Sequence, residues 1–200
     1  MINQIEMRRM LKTNQAPPPA HILEAALEVW TQAGGEHSIP ITGCSMLPLL
    51  RDGDEVLVRH GWADVRRGDV VVFWRQGTLI AHRVLRIYQG QVEPTLMTKG
   101  DNSSRLDSPV KANEIVGRVL AVKRGGRSMP LDTPAWRIVG WLIAVSTLAW
   151  IELRGWGRAF EHRVWGPQSA RLTTFLQWGR RAFSSFSRKI VGIVFCRWKE

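Results

Sequence analysis

One serine stands in a turn-like stretch of the sequence where it could act as a nucleophile. Ser45 lies in GCSMLPLL, residues 43–50, between glycine, methionine and proline. A serine hydroxyl becomes a good nucleophile only when a neighbouring base removes its proton. Glycine, proline and serine are also the ordinary residues of turns. Taken alone, Ser45 therefore has two interpretations, a nucleophile and a turn residue.

A base for Ser45 has to come from elsewhere in the chain, and His82 is the best placed of the five histidines. It lies in AHRVL, inside a β-type run whose apolar residues would hold the imidazole rigid and partly desolvated. A lone histidine in such a run is more often structural. His82 becomes a candidate general base only in combination with Ser45.

Two carboxylates follow in TKGDNSSRLD, at Asp101 and Asp107. A carboxylate next to a catalytic histidine fixes its tautomer and stabilises the imidazolium that forms during the reaction. Gly-Asp-Asn is also an ordinary turn sequence, so this segment is weak evidence by itself. The order serine, histidine, aspartate, each beside a strand-like run, is the stronger indication of acyl-transfer chemistry.

As an ordered set, these segments resemble the type I signal peptidases and their relatives in the S24/S26 superfamily. GCSMLP resembles the G-x-S-M-x-P nucleophile box, RRGDVVVFW and IAHRVLRI resemble the next two boxes, and TKGDNSSRLD resembles the K-G-D-N-x-x-x-x-D box. The boxes lie within residues 41–122. Bacterial leader peptidases and self-cleaving repressors use a lysine base, so His82 places the resemblance in the Ser-His branch, as in endoplasmic-reticulum and archaeal-type enzymes.

The resemblance implies roles for individual residues. Ser45 would be the nucleophile, His82 the general base and Asp107 the third catalytic residue, while Asp101 would shape the site. The backbone N–H of Ser45 would donate to the oxyanion.

A second oxyanion donor would have to differ from the one that many signal peptidases use. Many signal peptidases carry a serine two positions before the nucleophile, and this chain has Gly43 there. Gly43 would let the chain turn tightly and approach the substrate. Thr42 is the neighbouring hydroxyl that could substitute for the missing serine.

The pattern of the chain predicts three regions. Residues 1–36 contain a short amphipathic helix after a proline-rich stretch, and residues 37–132 contain short β-rich runs separated by turn signals. Residues 133–200 are rich in tryptophan and arginine and predict helix. The expected fold is a mostly β catalytic domain of the signal-peptidase and repressor-protease type, with a short N-terminal helix and a helical C-terminal region.

The charge is concentrated at the C-terminal end. The chain has 28 Lys and Arg against 17 Asp and Glu, a net charge of +11. After Glu152 there are ten basic and two acidic residues, which accounts for +8 of that excess. An anionic lipid surface is the predicted partner, and no nucleic acid is expected because no helix-turn-helix precedes the β region. Cys44 and Cys196 are far apart, so no disulfide, metal or cofactor is predicted.

A charge-free apolar run at Ile138–Ile151 is the candidate membrane segment. Its fourteen residues fall short of the roughly 20 that a spanning helix needs, but tryptophans and arginines bracket it as at a membrane interface. Packing against the β domain is the alternative. The N-terminal sequence has no apolar h-region, which argues against a signal peptide or an anchor there. We therefore expect a membrane-associated protein, at a prokaryotic cytoplasmic membrane, with the side of the active site left open.

The predicted function is that of a serine endopeptidase of the signal peptidase class, which cleaves signal or leader peptides from precursor proteins. Two alternatives stay open at this point. One is a catalytically silent peptide-binding module on the same scaffold, and the other is a self-cleaving protease of the repressor type.

Overall fold

The described residues contain eight strands, and the four longest are runs rich in valine, isoleucine and leucine, as their pattern predicts. The structure is a computed structural model that describes residues 35–90 and 93–164, with side chains described up to residue 153 of the last helix. The predicted N-terminal helix and the basic tail beyond residue 164 lie outside the described residues. The strands are β1 (Glu36–Pro40), β2 (Glu55–His60), β3 (Val70–Arg75), β4 (Thr78–Tyr88), β5 (Thr95–Lys99), β6 (Val110–Lys111), β7 (Ile115–Arg124) and β8 (Arg127–Pro130).

The strands form one antiparallel sheet in the order β1-β2-β7-β3-β4-β5-β6, with β8 paired to β7. A 3-10 turn at Ala112–Glu114 precedes β7, and the helix α1 (Pro134–Val164) follows β8. The expectation of a mostly β fold with a helical C-terminal region is therefore confirmed for the described residues.

A two-residue turn joins β3 to β4 and sets their register. Gln76 and Gly77 have φ angles of 50° and 77°, and positive φ at both central residues is the signature of a type I′ hairpin turn. In the resulting register Val71 lies opposite His82 and Val70 lies opposite Arg83. Because neighbouring side chains on a strand point to opposite faces, His82 and Arg83 project from opposite sides of the sheet.

Each face of the sheet has its own apolar core. The first core includes Met46 and Leu50 from the turn around Ser45, packed on strand valines such as Val72. The second core covers the other face around Phe73, with Val71 and Val84 from β3 and β4. The strands that carry the site are thus buried on both sides, which holds their side chains in fixed positions.

The helix α1 packs against β4 through one face. Leu85 contacts Ala144 and Leu148 in a third buried cluster, with Met97 and Ile151 packed against it. The close approach of the two backbones needs glycine at both contact points. A Cβ atom on Gly68 would lie 2.6 Å from the carbonyl carbon of Gly140, and one on Gly140 would lie 2.6 Å from the carbonyl oxygen of Gly68.

The opposite face of α1 is apolar and exposed. Ile138, Trp141, Leu142 and Leu153 have 60%, 47%, 48% and 56% of their surface accessible. The stretch Pro134–Leu153 is long and apolar enough to cross a membrane, judged by length and composition alone, and 22% of it is buried against the rest of the protein. The helix is thus longer than the charge-free run seen in the sequence, because it begins one turn earlier at Pro134 and continues past Ile151 to Val164.

Candidate active site

The three residues predicted as a catalytic set lie together in the structure. Ser45 follows β1 in an exposed turn, His82 lies in β4, and Asp107 lies in the loop between β5 and β6. Ser45 Oγ is 3.1 Å from His82 Nε2, and His82 Nδ1 is 2.7 Å from Asp107 Oδ2. Both separations are within hydrogen-bonding distance.

The carboxylate determines which nitrogen of His82 carries the proton. A carboxylate accepts hydrogen bonds only, so the 2.7 Å contact requires a proton on Nδ1 of the neutral imidazole. Nε2 then has a free lone pair, and the hydroxyl of Ser45 donates to it across 3.1 Å. This arrangement can move the serine proton onto the imidazole and leave the resulting imidazolium beside a negative charge.

The turn that carries Ser45 is tied to the Gly-Asp-Asn segment. The backbone N–H of Asn102 donates to the carbonyl oxygen of Ser45 (2.7 Å), and its side-chain amide donates to the carbonyl oxygen of Cys44 (3.1 Å). Gly100 lies directly behind Ser45 and His82, and a Cβ added to it would lie 2.9 Å from His82 Nε2. These contacts fix the distance between the serine and the histidine.

Asp107 is held by a buried threonine of β5. The hydroxyl of Thr98 donates to Asp107 Oδ2 (2.7 Å), and the backbone N–H of Asp107 donates to the carbonyl oxygen of Thr98 (3.1 Å). Thr98 has no accessible surface. Because the same oxygen of Asp107 accepts hydrogen bonds from both Thr98 and His82, the orientation of the carboxylate is fixed from two sides.

Asp101 is placed away from His82 and pairs with Arg83. The guanidinium donates to Asp101 Oδ1 (2.8 Å) and Oδ2 (2.6 Å), and also to the carbonyl oxygen of Gly68 (2.7 Å). Both side chains are about 5% exposed. A buried bidentate pair of this kind fixes geometry, and removal of one partner leaves a costly unpaired charge.

A partly buried lysine lies beside the two aspartates. Burial lowers the pKa of Lys99, and the nearby charges of Asp101 and Asp107 oppose that shift. Its ammonium donates to the carbonyl oxygen of Gly100 (3.0 Å). Lys99 is thus bonded to the Gly100 backbone, while His82 occupies the position next to the serine.

Gly43 turns the chain before the nucleophile, as the sequence predicts. Its φ of 88° lies in the left-handed region that favours glycine, and its N–H donates to Asp52 Oδ1 (3.0 Å). Thr42 is exposed and lines the cavity beside Ser45. A second oxyanion donor at Thr42 stays a prediction.

A cavity of about 240 Å³ opens next to Ser45. Its walls come from the end of β1 with the following turn, and from the first residues of β4, Thr78–Ala81. In the described part of the chain, β5 pairs with β4 only from Arg83 onward. The edge of β4 before Arg83 thus faces the cavity with backbone groups available to an added strand.

The sequence of this chain is similar to that of known peptidases. A family model described as Peptidase S24-like matches residues 22–120. The signal peptidase complex catalytic subunit SEC11 of Scheffersomyces stipitis is 32% identical over 92 residues, which cover 42% of this chain and 55% of that protein. Together these similarities support an S24/S26 signal peptidase-like serine peptidase.

Two further SEC11 proteins are similar to this chain. The one from Clavispora lusitaniae is 30% identical over 102 residues, covering 48% of this chain and 61% of that protein. The one from Metarhizium acridum is 30% identical over 114 residues, covering 51% and 66%. This chain thus spans between half and two thirds of the length of these relatives. The comparisons do not support a prokaryotic membrane, which stays a prediction.

Several residues that support the site of this chain were not predicted from the sequence. Thr98, Gly100 and Asn102 all lie in or next to TKGDN, and Arg83 directly follows His82. The only available signal was their position in the family boxes. Their individual contacts depend on how β4, β5 and the Ser45 turn meet in the fold.

Proposed function

We propose that this protein is a serine endopeptidase of the signal peptidase class, which cleaves signal or leader peptides from precursor proteins. The observation that carries the proposal is the continuous hydrogen-bonded line from Ser45 through His82 to Asp107. The match to a Peptidase S24-like family model and the likeness to subunits named signal peptidase complex catalytic subunit support the substrate class.

In the proposed reaction Ser45 Oγ attacks the scissile carbonyl carbon while His82 Nε2 takes the hydroxyl proton. The tetrahedral intermediate collapses, the peptide C–N bond breaks, and His82 returns the proton to the leaving amine. A water molecule, deprotonated by His82, then hydrolyses the acyl-enzyme and restores Ser45. The backbone N–H of Ser45 is the proposed oxyanion donor, a contact whose loss elsewhere costs on the order of 3 kcal/mol.

The substrate would bind as an extended strand. The open edge of β4 before Arg83 can pair with a peptide backbone, which is a common mode of peptide recognition. The cavity beside Ser45 holds about 240 Å³ and is lined in part by apolar side chains such as Ile41 and Leu79. The proposed substrate has small side chains next to the cleaved bond, as the resemblance to the signal peptidases implies.

The proposal is tested by Ser45→Ala, His82→Ala and the double variant. The assay is cleavage of a quenched fluorogenic peptide with an Ala-x-Ala sequence before the scissile bond. Each single variant should abolish cleavage, and the double should be no worse, because the two groups act as one unit. Cys44→Ala, at the exposed neighbouring position, is the control that should retain activity.

The alternatives give different results in the same experiment. More than a few per cent of wild-type cleavage in Ser45→Ala would rule out the proposed mechanism. A silent peptide-binding module would bind the peptide without cutting it in any variant. A self-cleaving protease would show cleavage within its own chain by mass spectrometry, again dependent on Ser45.

We further propose that the C-terminal region, residues 133–200, binds an anionic membrane with α1 lying along the surface. The inner face of α1 stays packed on β4 from Gly140 to Ile151. A helix that keeps those contacts cannot cross the bilayer without carrying the sheet into the hydrocarbon. The exposed apolar face can enter the interface instead, and each basic residue after Glu152 that lies near the lipid adds roughly 1 kcal/mol.

Co-sedimentation with lipid vesicles tests this part. The full chain should bind vesicles of phosphatidylcholine with phosphatidylglycerol more tightly than phosphatidylcholine alone. Replacing Trp141 and Leu142 by serine should weaken binding and leave thermal stability unchanged, because both are about half exposed. Leu148→Ala is the matched variant. Because Leu148 is buried, this substitution should lower thermal stability and leave vesicle binding intact. Equal binding by all variants would contradict a lipid-facing α1.

A further inference from the structure

The arginine at the end of β3 reaches the loop that carries Asp107. Arg75 Nη1 donates to the carbonyl oxygen of Ser108 (2.8 Å), and Nη2 donates to the carbonyl oxygen of Pro109 (2.8 Å). These are the first two carbonyl groups after Asp107. One guanidinium thus holds, through two hydrogen bonds, the backbone that directly follows Asp107.

The guanidinium is itself held in place. Glu114, in the 3-10 turn before β7, lies 3.3 Å from Arg75 Nη2, and its carboxylate also accepts from the backbone N–H of Lys111 (2.7 Å). The side chain of Arg75 is 19% exposed. A planar fork with several fixed donors loses less entropy per hydrogen bond than a flexible ammonium would.

Arg75 also contacts the aromatic ring that packs beside His82. Its guanidinium carbon lies 5.4 Å from the centre of the Phe73 ring, a cation–π distance. Phe73 in turn meets the His82 ring edge-on, with centroids 6.1 Å apart. The register of β3 and β4 places Arg75, Phe73 and His82 on the same face of the sheet.

We propose that Arg75 is a positioning residue that sets Asp107 against His82. It acts from two directions, by fixing the backbone after Asp107 and by supporting the aromatic ring beside the imidazole. The inference rests on the proposed function for its effect on cleavage, but its effect on geometry is independent of any substrate. Thr98 holds the carboxylate from the β5 side, so Arg75 completes the support from the loop side.

The kinetic test uses Arg75→Gln, Arg75→Lys and the control Arg59→Gln. Arg59 makes a comparable two-contact interaction with Glu36 (3.2 and 2.9 Å), but on the β1–β2 pair at the other edge of the sheet. Arg75→Gln should lower kcat by roughly 10- to 100-fold, because small misplacements of a catalytic group cost that much. KM should change by less than about twofold. Arg75→Lys should recover part of the loss, and Arg59→Gln should leave both parameters unchanged.

The second readout is proton NMR of the full chain, and it needs no activity. The proton between His82 Nδ1 and Asp107 gives a far-downfield resonance, which is assigned by its disappearance in His82→Gln. This resonance should move or broaden in Arg75→Gln and stay in place in Arg59→Gln. If it is unchanged in Arg75→Gln, or if kcat falls only in proportion to unfolded protein, the positioning role is wrong. A wild type that cleaves nothing, but whose resonance responds to Arg75, would refute the proposed function and uphold the positioning role.

Discussion

Substitution of Gly100 by alanine provides a direct test of the packing between Ser45 and His82. Gly100 is not among the glycines with positive φ, so alanine fits its backbone conformation. The added Cβ would nevertheless lie 2.7 Å from the carbonyl oxygen of Ser45, 2.9 Å from His82 Nε2 and 3.1 Å from Ser45 Cβ. Ordinary contacts between heavy atoms begin near 3.5 Å, so the turn or the imidazole has to move by roughly 0.7 Å.

That displacement is large for a site whose central hydrogen bond spans 3.1 Å. Misplacement by about 1 Å costs on the order of 100-fold in rate, which corresponds to about 2.7 kcal/mol in the barrier. Gly100→Ala should therefore lower kcat by roughly that factor. Overpacking should also lower the free energy of unfolding by about 1–3 kcal/mol.

Peptide cleavage and denaturant unfolding of the same preparations separate these two effects. The control is Gly125→Ala in the β7–β8 hairpin, where φ is 55° and a new Cβ meets nothing within 4 Å. It should lose about 1–2 kcal/mol of stability through backbone strain alone and keep its kcat. If Gly100→Ala retains kcat within threefold of the wild type, the close packing behind the serine–histidine pair is not needed for the reaction.

Three further predictions concern the aspartates, Thr98 and His60. Asp107→Asn should lower kcat by about 10⁴-fold with little change in the melting temperature. Asp101→Asn should chiefly lower the free energy of unfolding, by about 3–5 kcal/mol, because it leaves the charge of Arg83 unpaired. Equal kcat values for the two variants at matched stability would remove the distinction. Thr98→Val keeps the shape of a fully buried side chain and removes one hydrogen bond to Asp107. The value of kcat should therefore fall by roughly 10-fold, which corresponds to the free energy of one such bond. An unchanged kcat would show that the hydroxyl is dispensable. Burial, with a smaller contribution from His37, lowers the pKa of His60 to about 4; the unfolded chain therefore binds the extra proton first, and the free energy of unfolding should fall as the pH drops from about 6.5 to 4. Denaturant midpoints across that range should fall less steeply in His60→Gln, and identical slopes would contradict the assignment.

The sequence indicated the longer strands and supplied the candidate residues of the site, whose catalytic roles stay predictions. Runs rich in apolar and β-branched residues indicated the longer strands, because these strands bury their side chains against a core on one or both faces. The short strands β6 and β8 contain no such run and were not predicted individually. Ser45, His82 and Asp107 could be selected because their order and their neighbours resemble known boxes. Their mutual distances were not predictable, since they depend on long-range pairing between β4, β5 and the turn after β1.

The supporting contacts were not predictable for the same reason. Arg75 looked like a polar residue at the end of a strand, and only the fold brings Ser108 and Pro109 within its reach. The packing of α1 was also hidden. The sequence at Ile138–Ile151 is apolar all round, so its periodicity does not reveal which side meets the protein, whereas the structure selects the side through the Gly68–Gly140 contact.

The two-residue turn at Gln76 and Gly77 determines which side chain of β4 faces Ser45. Because His82 and Arg83 project from opposite faces of β4, a slip of one residue between β3 and β4 would exchange them and put a guanidinium beside Ser45. The hairpin turn, six residues away in the chain, is what prevents that slip. An insertion in a loop that carries no site residue should be absorbed locally, whereas the length of this turn determines which face of β4 carries the base. A single inserted residue here would be expected to yield a folded sheet with its base on the wrong side.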